Sequence, residues 1–170
     1  MAFTHPVPAG FDEAFDTLFT RAYRVARRIL NDDAAAEDVA AEAVARAFAH
    51  WEKIAHEPWQ EGWVVRVASN LALDSVRKRS RLAHSGPVEV AVEDDDVAVR
   101  MALVEALSLL PRRQREVVVL RHLGGLSEVE CAQALRVSPG SVKTHLSRGL
   151  AALRNRLGPT LQSDEVTARA

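Results

Sequence analysis

Helical periodicity runs through almost the whole chain and strand signals are nearly missing, so these 170 residues can bury a core only by packing helix on helix. The spacing predicts a first helix over about Phe11 to Leu30, with Phe11, Phe15, Leu18, Ala22, Val25 and Ile29 on one face. Asn31-Asp32-Asp33 ends it and offers a cap for the next helix, about Ala34 to Trp51, whose alanines favour the helical state. Pro58 breaks the loop 53–61, and a third long helix follows over about Gly62 to Arg79. Shorter helices are expected over about Val97 to Leu109, Arg112 to Leu123, Glu128 to Leu135 and Pro139 to Leu157. Gly158-Pro159 should close the last of them and leave 159–170 as a disordered tail. The expected architecture is all-α: a helical bundle over 1–82 and a second small helical domain over 99–158, joined by a flexible acidic linker over 83–98.

The net charge of -1 conceals strong segregation. Residues 1–61 hold 6 basic and 11 acidic side chains, 62–82 hold 5 and 1, 83–98 hold 0 and 5, and 99–158 hold 10 and 4. Two basic blocks are therefore held between acidic ones, a distribution suited to separate surfaces with different partners. No apolar run approaches the roughly 18 to 20 residues of a membrane span, so no membrane insertion is expected. "MAFTHPVPAGFDEAF" lacks a basic segment followed by an apolar stretch, and a single cysteine, Cys131, cannot form an internal disulfide; both fit a cytoplasmic protein. The histidines are scattered with no ligand spacing near Cys131, so neither a metal nor another cofactor is expected.

"LSEVECAQALRVSPGSVKTHLSRGLAALRNRL" reads as two helices joined by a tight turn. Ser127 with Glu130 three residues on forms a capping box for the first, and Ser138-Pro139 starts the second. Val142, Leu146, Leu150, Leu153 and Leu157 recur at spacings of 4, 4, 3 and 4 and make one inward stripe. Ser141, Lys143, Thr144, His145, Ser147 and Arg148 are left facing outward, the short polar and cationic side chains that suit base edges and phosphates in a major groove. Cys131 falls on the buried side of the first helix.

A second polar stripe runs along "GWVVRVASNLALDSVRKRSR", where Arg66, Asn70, Asp74, Arg77 and Arg81 share a face bordered by Lys78 and Arg79. Trp63, Val64, Val67, Ala68, Leu71 and Val76 form the opposite, core side, and Asp74 is placed to pair with Lys78. Trp51, Trp59 and Trp63 cluster around the preceding loop, with Trp59 the candidate for exposure. Aromatics beside cations are what a single nucleic-acid strand requires: bases stack while the backbone is neutralised.

With these residues in view, the chain from about Phe11 to Leu157 resembles the extracytoplasmic-function (ECF) sigma factors of bacterial RNA polymerase. "AAAEDVAAEAVARAF" looks like the family's polymerase-docking helix, and "GWVVRVASNLALDSVRKR" is similar to its promoter-melting helix through Trp63, Ala68, Asn70, Leu71, Asp74 and Arg77. "ALSLLPRRQREVVVLRHLGGLSEVECAQAL" with "VSPGSVKTHLSRGLAALRNRL" looks like its terminal DNA-reading domain. Two departures stand out: Ala41 where glutamine is usual, and Arg136 where the turn usually has glycine. The resemblance implies a promoter-specificity subunit, not an enzyme, that binds the clamp helices and flap of the polymerase core. Ser141, Lys143, Thr144, His145, Ser147 and Arg148 would then face the -35 element, and Trp59, Arg66, Asn70, Arg77, Lys78 and Arg81 the unpaired -10 strand. It also implies clamp anchoring by Asp38 and Glu42, passage of Asp94, Asp95 and Asp96 through a channel used by RNA, and restraint by an anti-sigma factor. The alternative is a stand-alone helix-turn-helix repressor or response-regulator-like protein, which would give the stripe from Arg66 to Arg81 no role.

Overall fold

A computed structural model describes residues 7–83 and 95–167; the expected linker, apart from its two ends, and Asp94 lie outside the described residues. Among the described residues the regular structure is helical throughout. The order is α1 (Phe11–Leu30), α2 (Asp33–Ala49), a single turn α3 (Trp51–Ile54), α4 (Gln60–Ala83), α5 (Asp95–Ser108), α6 (Arg112–Val118), a π-helical turn (Val119–Leu123), α7 (Glu128–Leu135) and α8 (Pro139–Thr167). Loop 53–61 is thus shorter than expected, and the helices encroach on the linker at Ala83 and Asp95.

The helix ends follow from local chemistry. Asp12 and Glu13 lie in the first turn of α1 and Arg27 and Arg28 in its last, each sign complementing the helix dipole. Asn31 takes the left-handed conformation at φ 53°, which asparagine tolerates, and its N–H donates to Arg27 O. The Asp32 carboxylate accepts from Ala35 N at 3.0 Å and caps α2. At the other end of the chain, α8 continues through Gly158-Pro159 to Thr167 instead of stopping there. A proline inside a helix removes one donor without forbidding the residues after it from being helical.

α1, α2 and α4 form the N-terminal bundle. Ala36, Ala40, Ala43 and Ala47 of α2 are fully buried, as are Ala22 and Ala26 of α1, so the backbones approach closely with no large side chain between them. Trp51 caps this core, its indole N–H donating to Ala9 O at 2.8 Å and its ring meeting Phe11 edge-on. Phe15, expected inside, is 41% exposed. In the C-terminal half α8 lays Val142 and Leu153 against α6 and α7, with Leu146, Leu150 and Leu157 half-buried beside them.

The two halves are not separate. α4 packs on α7 and on the π-helical turn, and the buried side chains of both halves run into one core. Two glycines permit the approach. A Cβ on Gly62 would stand 2.8 Å from Ala134 Cβ and 3.1 Å from Leu126 Cδ2, and one on Gly124 would stand 2.7 Å from Val65 Cγ1. Arg28 adds a hydrogen bond to Leu123 O across the junction.

Candidate nucleic-acid interface

The helix-turn-helix is built as its sequence dictates. Ser127 Oγ accepts from Glu130 N at 3.2 Å while Glu130 Oε2 accepts from Ser127 N at 2.6 Å, completing the capping box and holding the Glu130 carboxyl below its ordinary pKa. Arg136 occupies the turn in the left-handed conformation at φ 54°, so an arginine adopts the geometry that usually falls to glycine. Ser138 Oγ accepts from Ser141 N at 3.1 Å and starts α8. Cys131 is fully buried, and burial pushes its thiol up to about 11, which removes it from thiolate chemistry at neutral pH.

On the first turns of α8, Lys143, Thr144, Ser147 and Arg148 stand exposed on one face. Thr144 Oγ1 donates to Gly140 O at 3.0 Å, and Lys143 Nζ lies 3.8 Å from Glu128 Oε2 while its side chain stays 70% exposed. Ser141 is half-buried with its hydroxyl tied to that of Ser138, and His145 is half-buried with Nδ1 lacking a partner among the described residues.

The stripe on α4 sits differently. Arg66 directs Nε and Nη2 at a single oxygen, Oε1 of Glu116, at 3.1 and 2.9 Å. Arg77 reaches Ser108 O at 3.1 Å and pairs with Asp74 at 3.3 Å, so Asp74 partners Arg77 and not the expected Lys78. Asn70 lines a small cleft with Arg66, Ser69, Arg115 and Glu116. Trp59 is half-buried beneath the guanidinium of Arg136, 4.8 Å above its ring. Lys78 and Arg81 remain exposed. Half the stripe therefore faces the C-terminal half of the same chain.

Glu116 is the residue that sequence reading missed. It is 4% exposed and also accepts from Arg112 at 3.2 Å and Arg113 at 3.1 Å. Burial raises its pKa, but the hydrogen bonds and charge of Arg66 and then Arg112 outweigh that, leaving the carboxyl below its ordinary value. A lone acid in "RRQREVVVL", three and four residues after two arginines, was the available signal.

Asp38 and Glu42 are exposed on α2, and Glu42 pairs with Arg46 at 2.8 Å. Beside them Phe15, Phe19, Ala41 and Phe48 line an open apolar groove, with Phe15 and Phe19 stacked at 5.9 Å. No helix among the described residues is long and apolar enough to cross a membrane, and none of their acidic, histidine or cysteine side chains group as metal ligands.

Comparison with known proteins agrees with this layout. Residues 15–82 match the family described as Sigma-70 region 2, and residues 100–153 match Sigma-70, region 4. The chain is 34% identical over 164 residues to the RNA polymerase sigma-E factor of Streptomyces avermitilis, covering 94% of this chain and 89% of that one. It is 31% identical to the ECF RNA polymerase sigma factor SigM of Mycobacterium tuberculosis, covering 88% and 80%. Among solved structures, CnrH in complex with the cytosolic domain of CnrY aligns with a TM-score of 0.58 at 22% identity, over 88% of each chain. The sigma factor RpoE of Bartonella quintana, in complex with the anti-sigma factor NepR, aligns with a TM-score of 0.53 at 19% identity, over 87% of this chain and 96% of that one. The regions and their order define a sigma-70-type transcription initiation factor. This chain belongs to the ECF group of RNA polymerase sigma factors.

Proposed function

We propose that the chain acts in the cytoplasm by binding RNA polymerase core and both elements of a promoter, α8 on the -35 duplex and α4 on the unpaired -10 strand. The observation that carries this reading is the outward face of Lys143, Thr144, Ser147 and Arg148 at the start of α8, paired in one chain with the cationic stripe of α4. Cations and short polar groups at a helix start fit a major groove. Arg66, Arg77, Lys78 and Arg81 offer phosphate neutralisation, Asn70 a hydrogen-bonding amide, and Trp59 at the head of α4 a stacking surface for a single strand. Asp38 and Glu42, exposed on α2, anchor the clamp of the polymerase. Phosphoryl transfer belongs to the polymerase, and no residue of this chain is assigned to it.

Asp94, together with Asp95 and Asp96 at the start of α5, follows the path of the transcript in this reading. An anti-sigma protein would restrain the factor until a signal removes it, a reading supported by the anti-sigma partner of the similar Bartonella quintana structure. The test is run-off transcription from a promoter library with purified core polymerase. Addition of the chain should start transcripts at discrete promoters, and core plus chain giving none would refute the reading.

A further inference from the structure

The outward face of α8 has a hydrogen-bond polarity that its residue types alone do not fix. Thr144 spends its hydroxyl hydrogen on Gly140 O at 3.0 Å, so it offers the outside only lone pairs and a methyl group. Ser141 is tied to Ser138 by a hydroxyl–hydroxyl hydrogen bond at 2.9 Å. His145, next after Thr144, is sided differently. Its Nδ1 is enclosed and lacks a hydrogen-bond partner among the described residues, whereas Nε2 is neither enclosed nor bonded and so opens outward. A proton at Nδ1 would be a buried N–H with no acceptor, and a bare lone pair is tolerated more readily there. An imidazole with one proton therefore holds it at Nε2.

We infer that His145 reads the -35 duplex as a hydrogen-bond donor only, through Nε2–H, and so excludes cytosine at the base it faces. In the major groove guanine, adenine and thymine each present an acceptor, while cytosine presents only the hydrogens of its N4 amino group. A group that donates and cannot accept finds a partner on three bases and an opposed donor on the fourth. Thr144 asks the reverse, since its free lone pairs accept from an amino group. His145 stands in the second turn of α8, three residues before the exposed Arg148, where side chains of a recognition helix reach base edges. This rests on the reading of α8 as the helix set in the -35 groove.

The proton is located first, by nitrogen NMR of the full chain with isotope-labelled histidine. The His145 signals are identified by their loss in His145→Gln. A proton on Nε2 is expected, and one on Nδ1 overturns the inference. Competition binding of the holoenzyme to every single-base variant of the -35 element then reads the contact. His145→Ala should remove a penalty of about tenfold against cytosine at one position and leave the preferences at the other positions in place. His145→Gln, whose amide both donates and accepts, should admit cytosine there while keeping its affinity for the preferred base. A cytosine penalty unchanged in both variants overturns the inference, as does a weakening spread evenly over all sequences, the mark of a phosphate contact. Either result leaves the sigma reading standing, whereas a wild-type holoenzyme with no -35 preference at all refutes both.

Discussion

Arg66 and Glu116 stand fifty positions apart in sequence, yet the guanidinium sets two nitrogens on one carboxylate oxygen, at 3.1 and 2.9 Å. One residue belongs to the part of the chain that matches Sigma-70 region 2 and the other to the part that matches Sigma-70, region 4. Their pairing makes the relation between the halves a matter of chemistry as well as of chain connectivity.

Acid should loosen the junction. Glu116, facing Arg66 from α4 and Arg112 and Arg113 from α6 with Arg115 close by, has a depressed pKa in the folded chain. A depressed carboxyl contributes stability that is full above its unfolded value and is lost as pH falls through the folded one. Asp33, held low by Tyr23 and Arg27, fades in the same acidic window. Thermal melts between pH 7 and about pH 3 should therefore show a fall that is shallower in Glu116→Gln than in the wild type. Identical slopes would remove Glu116 from the explanation.

Ser127→Ala should lower stability by about 1 kcal/mol, read as an earlier midpoint in denaturant melts, because it leaves the Glu130 N–H without its partner at the start of α7. Ser127→Asp, which keeps an acceptor at that position, should recover most of the loss.

Lys143→Ala and Arg148→Ala should leave folding intact, since both side chains are exposed. Each should cost about 1–3 kcal/mol of discrimination if it contacts a base edge, concentrated at one position of the -35 element. If it contacts a phosphate instead, binding should weaken evenly across sequences and its salt slope should fall by about 1. Competition binding of the holoenzyme to single-base variants of the -35 element reads both outcomes.

Asp38→Arg should weaken binding to polymerase core while leaving the melting temperature nearly unchanged, because Asp38 is exposed and Glu42 already has Arg46. Glu42→Arg would also oppose Arg46 one turn away, so it should additionally lower stability slightly.

Where the fold obeys short-range rules, the sequence was a good guide. Asp32 capping α2, the Ser127–Glu130 box and the apolar stripe of α8 each depend on residues within a few positions of one another. The all-helical class followed from periodicity alone. What escaped depends on distant partners. The stripe on α4 reads as solvent-facing because polar stripes usually are, and nothing within that helix shows that Glu116 of α6 and Ser108 at the end of α5 will meet it. Gly62 looks like a helix start, and its function as a contact point emerges only beside Ala134. Asp74 had two cations within one turn, and the choice of Arg77 over Lys78 goes with the anchoring of Arg77 on Ser108 O. Phe15 keeps the helical phase of the core yet stands on the wall of an open groove that it shares with Ala41 and Phe48 of α2.

The central claim is that both halves engage one promoter at once, and a combined footprint of the initiating complex tests it most directly. Hydroxyl-radical cleavage with permanganate oxidation of unpaired thymines should show two protected segments, the upstream one over intact duplex and the downstream one over reactive bases, with Arg66→Ala and Asn70→Ala diminishing only the second. Protection of a single segment, or a bubble indifferent to both substitutions, would contradict the account.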